Sequence, residues 1–191
     1  MQNNTSNTAT IDINAKQKHS FNKLAKEIDE FMESFGSICL STINKDNDVT
    51  CTYAPLIQTK LGKYIYISEV AGHFLNIKNN PKNIEIMFLE DECKAESVIS
   101  RKRLRFRCDA SFIERDSKIF NEILDEFERQ NTRNSEIKII RNMLDFHLVR
   151  LDFKNGRFVK GFGAAYDIIN NEISFAGNSG NPHRNMPHKN A

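Results

Sequence analysis

The sequence predicts a mainly β chain with inserted helices (α+β), its strands closing as a small antiparallel barrel of about six or seven strands. Two observations carry this. Strand and helix signals do not alternate as βαβαβ, the pattern a parallel sheet needs. Neighbouring strand segments are also joined by short polar turns, as in hairpins. The 191 residues, 39% of them hydrophobic, are enough for one domain with a sizeable core.

Residues 1–17, rich in Asn and Thr, are expected as a disordered leader. From Ser20 onward, Phe21, Leu24, Ala25, Ile28, Phe31, Met32 and Phe35 recur at helical spacing until Gly36 ends the helix. Segments 37–43 and 49–57 flank the polar turn NKDND as a hairpin, and a strand over 63–68 follows Gly62. Val70, His73, Phe74 and Ile77 give a helix over 69–79, stopped by Pro81. Residues 84–90 return to strand and 91–100 form a polar loop. Segment 101–115 alternates, with Leu104, Phe106, Cys108 and Ala110 on one face and Arg103, Arg105 and Arg107 on the other. Ile119, Phe120, Ile123, Leu124 and Phe127 mark a helix of about fourteen residues, and 136–144 a shorter one. FHLVRLDF and RFVKGF flank the short polar segment KNG, residues 154–156, and predict a hairpin there. The expected organisation is a leader (1–17), a folded domain (18–176) and a C-terminal tail (177–191).

Charge is balanced: 27 Lys and Arg against 25 Asp and Glu leave a net +2, so neither nucleic acid nor an anionic membrane is indicated as a partner. The acidic segment EDECKAE beside the basic strand, and the lack of a stacking-aromatic motif, argue further against nucleic acid. There is no secretory signal and no run near the ~18 apolar residues of a membrane span, so a soluble, cytoplasmic protein is expected. Cys39, Cys51, Cys93 and Cys108 lack CxxC spacing and read as buried reduced thiols. No Ser/His/Asp, HExxH, P-loop or zinc-finger pattern supports a hydrolase or an NTPase.

Four features can carry chemistry. The tail GNSGNPHRNMPHKNA places His183 and His188 each after a proline, in a segment too polar to form a core. Imidazole is the commonest ligand for transition metals and also binds haem iron. The alternative is simply a solvated end. The arginine row suits phosphates or carboxylates, or else is a solvated outer sheet face. His73, near a helix start, is either a structural histidine or a residue facing an anionic or planar ligand. Asp145, beginning the strand FHLVRLDF, either caps a loop or accepts Nδ1–H from a metal-ligating histidine.

Taken together, AGHFLNIKNNPK, SRKRLRFRCDASF, DFHLVRLDFKNGRFVKGFGAAYDI and NPHRNMPHKNA resemble the HugZ-type bacterial haem oxygenases, members of the pyridoxamine phosphate oxidase-like, FMN-binding split-barrel superfamily. The resemblance covers roughly residues 20–191 and implies a split-barrel homodimer with haem at its interface, haem being both cofactor and substrate. It implies degradation to biliverdin with release of iron and carbon monoxide, using O2 and an electron donor that the sequence does not identify, for iron acquisition. By matching position, His183 is the axial iron ligand, with His188 the alternative, and Asp145 is the carboxylate bonded to it. Arg105, with Arg103 as runner-up, lies near the open face of the haem, and His73 stands beside the pocket. FMN is not expected. Two other readings stay open: an FMN-dependent oxidoreductase of the same fold, and a non-catalytic haem carrier or store.

Overall fold

The computed structural model describes residues 6–131, 136–161 and 163–176, with side chains from Ser20 onward; His183 and His188 lie outside the described residues. The chain divides into two compact units, Met1–Ser34 and Phe35–Ala191. The first carries helix α1 (Ser6–Glu33), which takes in most of the segment expected as a disordered leader. No Gly or Pro stands before Gly36, and once the amphipathic stretch has nucleated a helix, each added residue closes a further backbone bond at little cost.

The second unit runs β1 (Ser37–Ile43), β2 (Val49–Thr59), β3 (Gly62–Ser68), α2 (Gly72–Asn79), β4 (Ile84–Leu89), β5 (Arg103–Phe112), α3 (Lys118–Gln130), α4 (Glu136–Arg141), β6 (Phe146–Gly161), β7 (Ala164–Ile169) and β8 (Glu172–Phe175). Strands neighbour one another in the order β3-β2-β1-β4-β5-β6, and β6 returns to pair with β3, closing a six-stranded antiparallel barrel. β7 and β8 continue the sheet from the far half of β6. The mainly β, antiparallel split barrel is therefore as expected, with two added strands outside the closed ring.

The expected hairpin at 154–156 does not form. β6 is one strand of sixteen residues that runs straight through KNG. Its first half pairs with β3, its length pairs with β5 across a register shift between Phe106 and Cys108, and its second half pairs with β7. Gly156 is there for space rather than for a turn: a Cβ on it would stand 2.5 Å from Phe106 Cδ1 and 2.6 Å from the Arg105 carbonyl oxygen. The hairpins come later. Gly163 (φ 75°) turns β6 into β7, and Asn170 (φ 51°) with Asn171 (φ 65°) makes the left-handed pair that joins β7 to β8.

Inward residues of the strands fill the barrel, among them Leu40, Ile65, Ile86, Phe88, Leu104, Val149 and Phe158, all fully buried. Phe74 and Ile77 of α2 join this core. On the opposite face of β2, β3 and β6, Ile57, Tyr64, Tyr66 and Leu148 form a second cluster with Phe120, Ile123, Leu124 and Phe127 of α3 and Ile137 of α4. α3 is capped by Ser117, whose Oγ accepts from the Phe120 amide at 3.2 Å.

Only Cys108 of the four cysteines is buried, and none is in a disulfide. Leu40 points inward on β1, so strand alternation turns Cys39 outward, and Cys51 faces outward opposite Ser41. Among the described residues no helix is long and apolar enough to cross a membrane.

Candidate functional site

Asp145 lies in the connection from α4 to β6, immediately before the strand. Its Oδ2 accepts from Ser68 Oγ at 2.7 Å, and its main-chain oxygen accepts from the Glu69 amide at 2.8 Å. Ser68 ends β3 opposite Phe146, so closure of the barrel brings these two segments together. The neighbouring positions add an imidazole that sequence reasoning missed. His147 Nε2 lies 2.7 Å from Glu69 Oε1, and its ring leans on Phe74 at 4.9 Å and meets Phe112 edge-on at 6.1 Å. Val70 and Leu144 stand exposed beside them. Asp145, Ser68, Glu69 and His147 thus gather at one end of the barrel, beside the start of α2.

The arginine row is where alternation places it, on the outward face of β5. A cross-strand ladder there reads Tyr53, Cys39, Met87, Arg105, Arg157, Asp167 from β2 through to β7. Arg105 Nη1 donates to Glu85 Oε1 at 2.6 Å, with both side chains exposed. Arg157 is committed to Asp167 through two bonds, at 2.7 and 3.2 Å. Arg103 bonds only the Arg101 carbonyl, and neither Arg103 nor Arg107 has a carboxylate partner among the described residues. The face therefore presents an apolar strip bordered by cations that are either unpaired or held by an exposed pair.

His73 goes elsewhere. It is the second residue of α2, only 7% exposed, with Nδ1 2.9 Å from Thr52 Oγ1. Its Nε2 is buried and finds no hydrogen-bond partner among the described residues. Burial holds the imidazole below its ordinary pKa, which favours the neutral ring. Asn76, one turn on, donates to Thr42 Oγ1 at 3.0 Å, so α2 docks on β1 and β2 partly through polar contacts.

Residues 24–160 match the family model described as pyridoxamine 5′-phosphate oxidase. The chain belongs to this family. Within the family it is similar to HugZ-type proteins, as its motifs indicate. It is 34% identical over 164 residues to "Heme oxygenase HutZ" of Vibrio cholerae, spanning 85% of this chain and 91% of that protein. The crystal structure of Campylobacter jejuni ChuZ aligns with a TM-score of 0.82 at 59% identity, covering 86% of this chain and 67% of that one. The crystal structure of HutZ from Vibrio cholerae, there called a heme storage protein, aligns with a TM-score of 0.63 at 32% identity, covering 68% and 89%.

Against this family background, the barrel brings Asp145 together with Ser68, Glu69 and His147, but not with Arg105. Arg157, the cross-strand partner of Arg105, is separated from Asp145 by the run of β6, a path of about 40 Å along the strand at ~3.3 Å per residue. Among the described residues no group of three or more His, Cys, Asp or Glu forms a metal site.

Proposed function

We propose that this protein is a haem oxygenase. Haem sits between two copies of the chain and is opened to biliverdin, with release of iron and carbon monoxide, using O2 and a separate electron donor. The purpose is iron acquisition from haem in the cytoplasm. One observation carries the reading: similarity to a heme oxygenase runs through nearly the whole of both chains and includes the strand that Asp145 opens.

The residues present suit haem. An amphipathic ring with two carboxylates asks for apolar surface bordered by cations, and Tyr53, Cys39 and Met87 lie in one ladder with Arg105. Bound haem supplies the iron at which O2 is activated and the ring that is opened. His183 of the tail, or His188, would hold the iron through its imidazole. Asp145, held at Oδ2 by Ser68, would accept the Nδ1–H of that imidazole, which would fix its tautomer and raise its basicity. Arg105, whose pair with Glu85 is exposed, would be free to donate to the bound group, and Arg103 and Arg107 would hold its carboxylates. His73 fastens α2 to β2 through Thr52. FMN has no part in this reading.

The heme storage description of the HutZ structure favours a second reading, binding without turnover. Aerobic incubation of the haem-loaded protein with a reductant separates the two. Loss of the haem band with appearance of biliverdin and chelatable iron is expected. A haem band that persists through the incubation supports storage, and a yellow, flavin-bearing protein on purification supports an FMN oxidoreductase.

A further inference from the structure

Asp145 lies in a connection outside the regular elements, yet its proposed role requires hydrogen-bond distance to an imidazole, a contact that a displacement of about 1 Å destroys. Something outside the connection has to hold it. Ser68 does so at the carboxylate, donating to Oδ2 at 2.7 Å. Arg115, just past the end of β5, does so at the main chain. Its Nη1 donates to the Arg141 carbonyl at 3.2 Å, and its Nη2 donates to the Met143 carbonyl at 2.6 Å and the Phe146 carbonyl at 2.8 Å.

These three acceptors bracket Asp145 on both sides. The Arg141 carbonyl ends α4, where a cation is favoured, and the Met143 carbonyl, two residues past the helix, also accepts from the Phe146 amide at 3.4 Å. Arg115 has no carboxylate partner among the described residues, and the three carbonyls are its hydrogen-bonded main-chain acceptors. The guanidinium is itself seated over the Phe120 ring of α3, 5.2 Å from the centroid. Tyr66 adds a further tie, its hydroxyl donating to the Ile140 carbonyl at 3.3 Å. A rigid planar fork of donors makes this three-carbonyl contact, and the point charge of a lysine does not reproduce it.

We infer that Arg115 and Ser68 form a two-point mount for Asp145, Arg115 through the main chain and Ser68 through Oδ2. Arg115 is then a positioning residue for the chemistry at the axial imidazole, an assignment that rests on the haem reading above.

The test uses Arg115→Lys, which keeps the charge, beside Ser68→Ala and Asp145→Asn. In the haem-free protein the Glu69 amide, bonded to the Asp145 carbonyl, should exchange about tenfold faster in Arg115→Lys, with amides of β1 and β4 unchanged. In the haem-loaded protein Arg115→Lys and Ser68→Ala should move the iron–imidazole vibration in the same direction as Asp145→Asn. The Arg115→Lys/Asp145→Asn double variant should turn over no more slowly than Asp145→Asn alone. Unchanged Glu69 exchange overturns the mount. Additive losses in the double variant, or faster exchange with wild-type vibration and turnover, overturn the positioning role. If Asp145→Asn itself leaves the vibration at wild type, the part that the haem reading gives to Asp145 falls, and the haem-free exchange still decides whether Arg115 holds the connection.

Discussion

Arg105 and His73 show how differently two cationic residue types are used within one barrel. Arg105 is half-exposed and bonded to an exposed Glu85, and such a surface pair contributes about 0–1 kcal/mol. It can give up Glu85 for a ligand at small cost. Arg105→Ala should therefore lower the thermal midpoint by no more than about 2–4 °C, the shift that 1 kcal/mol produces in a chain of this size, while reducing haem turnover severalfold. A large loss of stability with normal turnover would make Arg105 structural. His73 is the reverse case, buried against Thr52, where desolvation favours the neutral ring. Its unfolded form takes up a proton near pH 6.5 and the folded form only at lower pH. The stability it confers is thus complete above about pH 6.5 and is eroded as pH falls from there through the folded value. Denaturant midpoints measured between pH 7 and 5 should fall more steeply for the wild type than for His73→Gln; parallel curves would place the burial cost elsewhere.

Among the elements, β6 shows most clearly why a local pattern is not enough. Gly156 looks like a turn residue because it follows Lys and Asn, but the reason for it is the Phe106 ring on the neighbouring strand. Gly156→Ala forces that ring and the Arg105 carbonyl apart, and overpacking of this kind costs about 1–3 kcal/mol. The thermal midpoint should drop by several degrees, and Phe106→Leu introduced in the same chain should recover part of the loss; an unshifted midpoint for the single variant would mean that β6 can bend there freely. The features legible in the sequence were those with a local period: two for the arginine and leucine faces of β5, and 3.6 for the apolar side of α3. The continuity of β6, the neighbours of Asp145 and the carbonyls gathered by Arg115 all depend on strands distant in sequence. Any residue offers a carbonyl, so nothing in the segment 141–146 announces that a guanidinium will cap it. As a strand-end carboxylate Asp145 is legible as a partner for a metal-ligating histidine, but which histidine follows only from the resemblance. Ser68 and His147 carry no pattern that would have found them.

For the whole molecule, the separation of Arg105 and Asp145 along β6 makes the decisive prediction. If each haem site takes its arginine from one copy and its Asp145 from another, the two residues can be supplied by different chains. Arg105→Ala and Asp145→Asn would each be impaired alone, because every site in either dimer carries a defect. Mixed after unfolding or co-expressed, they should assemble at random, with half of the dimers holding one copy of each variant. Each mixed dimer contains one intact site and one doubly altered site, so turnover should recover to about a quarter of the wild-type value above the residual rates of the parents. If a single chain supplied both residues, every site in the mixture would still carry one substitution and no recovery would follow. The same experiment run with Arg157→Ala in place of Arg105→Ala asks whether the effect belongs to the arginine freed from Glu85. Arg157 is committed to Asp167, so its loss should leave the arginine side of the haem site intact and give little impairment to complement.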